Sequence, residues 1–277
     1  MTRGGYLTTG PLALAHRGGT RYAPTRGKEN TLKAFAAAVD LGYRYLETDV
    51  HLTSDGVLLA LHDDRLERVS DISGAVAEMT FEEVRRARIG GSEPIPTLRE
   101  LFTAFPDAHF NIDLKAEGTG PALWALLEEI QAHDRVCVSS FSRSRLWAFR
   151  RLSRGRVATA AGRWGITWLR FAPAPLARWI HSPAVAYQIP LHRKIMGRSV
   201  TVLTPQFLAT AQRTGAQVHV WTIDDIDQMR ELFDMGVDGL FTDRIDVLAQ
   251  VLQERGAWPQ HRGRTSGDTD REDQDTR

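Results

Sequence analysis

Short apolar runs with strand character alternate with segments of helical periodicity almost from end to end of the chain, the pattern of repeated βα units around a parallel sheet. The runs fall at 11–16, 43–49, 109–115, 136–140, 156–160, 184–188, 217–221 and 237–242. Eight of them in one chain predict a closed barrel rather than an open sheet, an α/β fold of the (β/α)8 TIM barrel kind. Between the runs, Leu32, Phe35, Ala36 and Val39 recur at helical spacing, as do Leu123, Leu126, Leu127 and Ile130. Asn30-Thr31 and Asp224-Asp225 read as helix starts, with Gly42 and Gly236 just past helix ends.

Two stretches break the rhythm. Residues 53–96 are too long for a simple βα connection and carry a hairpin signal at Ser54-Asp55-Gly56, so they read as a small insertion after the second strand. From about residue 256 the chain is almost wholly polar, which predicts a disordered tail over 256–277. The expected organisation is one barrel domain over 1–255 followed by that tail.

Composition narrows the picture. A chain of 277 residues with 42% hydrophobic and 25% charged residues can bury a full core. Lys and Arg number 35 against 34 Asp and Glu, a net charge of +1. No global field then draws the protein to nucleic acid, and no nucleic-acid partner is expected. The single cysteine, Cys137, sits in the apolar run Arg135-Val-Cys-Val-Ser-Ser140 and reads as a buried, reduced thiol. The N-terminus lacks the apolar region of a signal peptide, and no stretch approaches the roughly 18 uninterrupted apolar residues of a membrane span. A soluble, cytoplasmic protein is the expectation.

Candidate chemistry gathers at strand ends. In Leu46-Glu-Thr-Asp49, Glu47 and Asp49 are two apart on the second strand and point the same way. Asn111-Ile-Asp-Leu-Lys115 repeats the arrangement on the third, with Asn111, Asp113 and Lys115 on one face. Converging carboxylates call for a cation, and oxygen ligands without cysteine favour a hard ion such as Mg²⁺ or Ca²⁺. Taken singly, such acids cap helices or pair with Lys and Arg; two pairs aimed at the carboxyl ends of barrel strands occupy the region where barrel active sites form. His16 and His62 each end an apolar run. A lone histidine there can simply cap a strand, whereas two can divide proton uptake and delivery in phosphodiester cleavage. Arg17 offers a planar fork that matches phosphate oxygens.

With these residues in hand, the chain resembles the glycerophosphodiester phosphodiesterase family. The resemblance runs through His16-Arg-Gly18, Glu29-Asn-Thr31 with Ala34-Phe35, Glu47-Thr-Asp-Val50, Asp55-Gly56, His62-Asp63, Ile95-Pro-Thr-Leu98, Asn111-Ile-Asp-Leu-Lys115, Ser140-Phe141, Val220-Trp-Thr222, Gly236-Val-Asp-Gly239 and Thr242-Asp243. It implies a barrel with an inserted segment matching 53–96. It further implies one divalent cation held by Glu47, Asp49 and the acid of the third strand, acid and base roles for His16 and His62, and phosphate charge met by Arg17 and Lys115. The implied reaction is hydrolysis of glycerophosphodiesters to sn-glycerol 3-phosphate and an alcohol, through attack of the neighbouring glycerol hydroxyl and a cyclic phosphate. One position departs from the pattern: the third-strand acid is usually Glu and here is Asp113. Its shorter reach requires either a closer strand or a bridging water for it to serve as a ligand.

Gln188 and Trp221 fall at strand ends toward the barrel mouth and are the candidates for substrate selection, with Trp221 either an apolar wall for the substrate or a core-packing residue, while His219, two residues deeper, reads as a hydrogen-bonded core histidine. Residues 164–180 are rich in Trp, Arg and Pro. They either pack over the rim or make transient contact with lipid headgroups, and Pro173 and Pro175 argue against one continuous amphipathic helix. A lysophospholipase D or related phospholipid phosphodiesterase is the neighbouring alternative. A barrel that only binds a phosphorylated ligand fits less well, since both histidines are present.

Overall fold

The computed structural model describes residues 5–171, 182–195 and 197–259. Eight parallel strands form the barrel: β1 (Leu12–His16), β2 (Tyr45–Leu52), β6 (His109–Leu114), β7 (Val136–Ser139), β8 (Ala158–Thr159), β9 (Ala186–Pro190), β12 (Gln217–Trp221) and β13 (Gly239–Thr242). They lie in the order β8-β7-β6-β2-β1-β13-β12-β9. A parallel bridge between Ala160 and Ala186, with Val185 N–H on Thr159 O (2.9 Å) and Ala161 N–H on Ala186 O (2.8 Å), joins the two ends of that order. The fold is a (β/α)8 TIM barrel with inserted elements.

Two helices start and stop where the sequence predicts. In α1 (Leu32–Leu41) the Thr31 side chain accepts from the Ala34 N–H, and Gly42 ends the helix at φ 108°. Asp225 caps α8 (Ile226–Asp234) through the Gln228 N–H, and Gly236 follows at φ 90°. The other barrel helices are α3 (Leu98–Ala104), α4 (Thr119–Ile130), α5 (Arg143–Ser153), α6 (Arg163–Phe171), α7 (Pro205–Arg213) and α9 (Ile245–Glu254).

Residue parity along each strand divides the core. Ala13, Ala15, Leu46, Phe110, Ile112 and Leu114 pack outward under the helices, while Leu12, Leu14, Tyr45, Cys137 and Phe241 fill the barrel with Tyr6. Tyr6 meets Tyr45 edge-on at 5.4 Å, and Tyr45 stacks on His109 at 4.8 Å. Continuing the inward parity beyond Leu14, Tyr45 and His109 leads to His16, to Glu47 and Asp49, and to Asn111 and Asp113. The rows that plug the barrel below carry the polar groups above.

The stretch read as an insertion contains β3 (Leu58–Ala60), α2 (Phe81–Val84) and the hairpin β4 (Arg88–Ile89) with β5 (Glu93–Pro94). It has a small core of its own, including Leu59, Leu61, Leu66, Val76 and Ile89. The expected hairpin forms: Thr53 N–H donates to Val57 O (3.1 Å), Gly56 sits at φ 82°, and β3 runs antiparallel to β2. That pairing carries β2 through Leu52, three residues beyond the predicted end. A further hairpin, β10 (His192–Ile195) with β11 (Arg198–Thr201), has no counterpart in the sequence reading.

At the C-terminal end, Trp258 packs on the body despite lying in the stretch read as a polar tail: its indole N–H donates to Leu41 O (3.0 Å) and its ring meets Tyr43 at 4.8 Å. The tail beyond residue 259, and residues 172–180 of the aromatic segment with Pro173 and Pro175, lie outside the described residues.

Candidate active site

The site begins in the loop after β1. Arg17 takes φ 50°, unusual for a non-glycine residue. Its N–H meets both the Glu47 main-chain oxygen and the Glu47 carboxylate at 3.1 Å, and its own carbonyl accepts from the Asn30 N–H at 2.9 Å. Gly18 follows at φ 82°, where a Cβ would come within 2.7 Å of the Ala34 Cβ and 2.9 Å of its main chain. Only glycine lets the loop press this closely on α1.

Strand register sets the carboxylates side by side. His16 pairs with Glu47, Glu47 with Asn111, and Asp49 with Asp113. Glu47, Asp49, Asn111 and Asp113 are all buried. Lys115 Nζ lies 2.8 Å from both Asp49 and Asp113, and Arg17 Nε lies 3.2 Å from Asp49. Burial, reinforced by Asp49, lifts the Glu47 carboxyl to about 7 against the pull of His16, Arg17 and Lys115. Burial raises Asp113 too, with Lys115 opposing. On Lys115 burial acts to lower the ammonium, but Asp49 and Asp113 prevail and hold it above its ordinary value.

His16 and His62 line one cleft of about 1460 Å³ with Arg17, Glu47, Asp49, Asp113 and Lys115. His16 Nδ1 is 2.8 Å from the Asp243 carboxylate, and its Nε2 is 3.8 Å from Glu47. Burial alone would make His16 less basic; Glu47 and Asp243 outweigh it and raise its pKa. Asp243 lies directly after β13 and is held by Asp224, which accepts from its N–H at 2.8 Å. His62 lies two residues past β3, not at its end, and its Nδ1 is paired with Asp63. Arg68 also bonds Asp63, and it grips Glu29 with both Nη atoms (2.6 and 2.9 Å) while Arg17 Nη1 reaches Glu29 at 3.3 Å. Although burial opposes it, Arg68 and His62 take the Asp63 carboxyl down to about 2.

Gln188 and Trp221 both line the cleft. The Gln188 amide is engaged, donating to Asn111 Oδ1 at 2.6 Å. Trp221 stands edge-on to Phe141 at 6.0 Å, and the Lys115 ammonium lies 5.5 Å from the Phe141 ring. His219 is fully buried on Gln217 (2.9 Å), and burial takes it down to about 3. Cys137 is a free, buried thiol pushed up to about 12 by burial. Asp243, Asp63, Glu29 and Phe141 stand in the motifs that carry the family resemblance, but the sequence reading assigns them no role in the site, and it does not single out Arg68. The available signal was position: Asp243 and Phe141 each follow a barrel strand, and Asp63 follows His62.

Three buried carboxylates, Glu47, Asp49 and Asp113, face Arg17, Lys115 and the His16 ring. Asp113 Oδ1 and Asp49 Oδ2 are buried oxygens that no well-aligned donor reaches. The oxygen-only donor chemistry fits a hard divalent cation. Among the described residues, no three His, Cys, Asp or Glu side chains form a cluster that could hold a metal ion. The Lys115 ammonium bridges Asp49 and Asp113, so a cation shared by those two acids would require it to move.

Residues 16–247 match the model of the glycerophosphoryl diester phosphodiesterase family. The chain belongs to this family. The match opens on His16 and extends past Asp243. The probable glycerophosphodiester phosphodiesterase 2 of Mycobacterium tuberculosis is 41% identical over 257 residues, covering 90% of this chain and 93% of that protein. A glycerophosphodiester phosphodiesterase of Caldanaerobacter subterraneus is 28% identical, with 88% and 99% covered. Among solved structures, an Oleispira antarctica phosphodiesterase in complex with the product sn-glycerol-3-phosphate superposes with a TM-score of 0.70 at 22% identity, covering 88% of this chain and 97% of that one. A Parabacteroides distasonis glycerophosphodiester phosphodiesterase gives 0.69 at 23% identity, with 90% and 100% covered. This member of the glycerophosphoryl diester phosphodiesterase family is an enzyme of the phosphodiesterase class.

Proposed function

We propose that the protein hydrolyses small glycerophosphodiesters, such as glycerophosphocholine and glycerophosphoethanolamine, to sn-glycerol 3-phosphate and an alcohol by two-histidine acid/base catalysis. The observation that carries the reading is the pair of histidines bordering one cleft, each with Nδ1 tied to a carboxylate, His16 to Asp243 and His62 to Asp63. That pairing fixes each ring and frees its Nε2 for proton transfer. One histidine takes the proton from the glycerol hydroxyl beside the phosphate as its oxygen bonds to phosphorus; the other gives a proton to the departing alcohol as its P–O bond breaks. Water then opens the cyclic phosphate with the roles reversed. Arg17 and Lys115 stabilise charge on the nonbridging oxygens, and Gln188 and Trp221 border the substrate.

In this reading Glu47, Asp49 and Asp113 would hold one divalent cation, Ca²⁺ or Mg²⁺. Bound there, it would supply positive charge opposite the phosphate. Support comes from the three buried carboxylates and the Asp113 oxygen that no well-aligned donor reaches. A cytoplasmic location belongs to the same proposal.

The test is a panel of glycerophosphocholine, glycerophosphoethanolamine and lysophosphatidylcholine, each assayed with Mg²⁺, Ca²⁺ or EDTA. The reading expects release of sn-glycerol 3-phosphate from the first two, lost in EDTA and restored by one of the metals. Turnover of lysophosphatidylcholine alone would replace it with a lysophospholipase D, an alternative favoured by the exposed Phe141 at the cleft. Turnover indifferent to EDTA would remove the metal from the mechanism.

A further inference from the structure

The net charge of +1 is a sum of opposites. Residues 135–223 contain fourteen Arg and Lys and no Asp or Glu, so the rest of the chain carries −13. The described residues of this acid-free stretch run from β7 round to β12 and include α5, α6 and the β10–β11 hairpin.

Its helix α6 is amphipathic in an unusual sense. Leu169 is buried, whereas Trp164, Trp168 and Phe171, at i, i+4 and i+7, form a stripe that is 69%, 57% and 55% exposed. Trp147 on α5 is 57% exposed as well, with Arg151 over its ring at 4.7 Å. Arg170 lies over Phe171 at 5.0 Å and ties α6 to the hairpin by donating to Thr201 O (3.2 Å). Arg163, Arg193 and Lys194 flank these rings and make no ion pair among the described residues. Arg163, Trp164, Trp168 and Phe171 line the same cleft as His16, so the patch stands at the mouth of the site.

We propose that this rim docks the enzyme on an anionic phospholipid bilayer. Large exposed aromatic side chains beside cations suit the headgroup layer, where amphipathic rings sit at the boundary and basic groups meet lipid phosphates. An apolar stripe turned to solvent is otherwise a liability. The complementarity is of charge as well as polarity: Arg163, Arg193 and Lys194 on this rim would meet lipid phosphates, and residues 135–223 supply no acid to oppose them. Docked in this way, the cleft opens toward the headgroups.

The test is sedimentation of the full chain with vesicles of phosphatidylcholine alone and of phosphatidylcholine mixed with phosphatidylglycerol, at low and high salt. Pelleting is expected with the mixed vesicles only, weakened by salt. Trp164→Ser with Trp168→Ser, and separately Arg163→Glu with Arg193→Glu, should each weaken it about tenfold or more, while circular dichroism stays unchanged. Independently of any variant, lipids brominated in their acyl chains should quench tryptophan fluorescence of the unaltered protein. Failure to pellet on mixed vesicles, absence of quenching, or undiminished pelleting of the folded tryptophan variant would overturn the proposal. So would preferential binding to an oligonucleotide, or a dimer that the tryptophan variant dissolves in a protein that ignores vesicles.

Discussion

The two halves of this barrel handle charge in opposite ways. Around β1, β2, β6 and β13, basic and acidic groups are interlocked: Lys115 lies between Asp49 and Asp113, Arg17 between Glu29 and Asp49, and His16 between Glu47 and Asp243. From β7 to β12 there is no acid at all, and bases stand beside exposed aromatic rings. A buried charge must be paired to be tolerated, and removing one partner leaves the other uncompensated. The interlocked half should therefore respond sharply to single substitutions, and the basic rim weakly.

The largest contrast is expected between histidines. His16→Ala should cut kcat on the order of 10²–10⁴-fold, the usual worth of a positioned acid or base. His192→Ala, on the exposed β10 strand of the same cleft, should leave turnover unchanged. Equal losses would dissolve the distinction between the halves.

Asp243→Asn comes next. It keeps the shape but removes the charge at His16 Nδ1, and a loss of about tenfold to a hundredfold is expected, as for outer partners that orient a ring. Because Asp243 helps raise the His16 pKa, the limb of the pH–rate profile belonging to His16 should move to lower pH. A fall in rate with no movement of either limb would mean that Asp243 only supports the loop.

How much of this was legible in the sequence depends on the range of the interaction. Alternation along β2 and β6 already set Glu47, Asp49, Asn111 and Asp113 on one face, because side-chain parity is local. Thr31 and Asp225 were readable as caps for the same reason. Asp243, 227 residues from His16, becomes its neighbour only when β13 pairs with β1, and no local pattern encodes that. The same holds for Arg68, which reaches Glu29 from within the inserted segment. Whole-chain charge concealed the basic half, since a total is blind to order.

A smaller effect lies in stability. The unfolded chain protonates His219 below about 6.5, while burial delays protonation in the fold to about 3. The neutral ring therefore contributes fully above 6.5, and its contribution is lost as pH falls toward 3. The slope reaches at most about 1.4 kcal/mol per pH unit. Urea unfolding near neutrality and at about pH 5 should show this slope flattened in His219→Gln. An unaltered slope would assign acid sensitivity to the carboxylates instead.

Smallest of all should be the effect of the rim on folding. Trp164→Ser and Trp168→Ser remove exposed rings, so unfolding free energy should change by no more than about 0.5 kcal/mol each. A larger loss would mean that the rings pack against the body.

The most direct test of the central claim is the initial rate of sn-glycerol 3-phosphate release from glycerophosphocholine by His62→Ala beside the unaltered chain, both verified as folded. The account predicts release by the unaltered chain and a rate lower by at least about a hundredfold in the variant; equal rates, or no release by either, would contradict it.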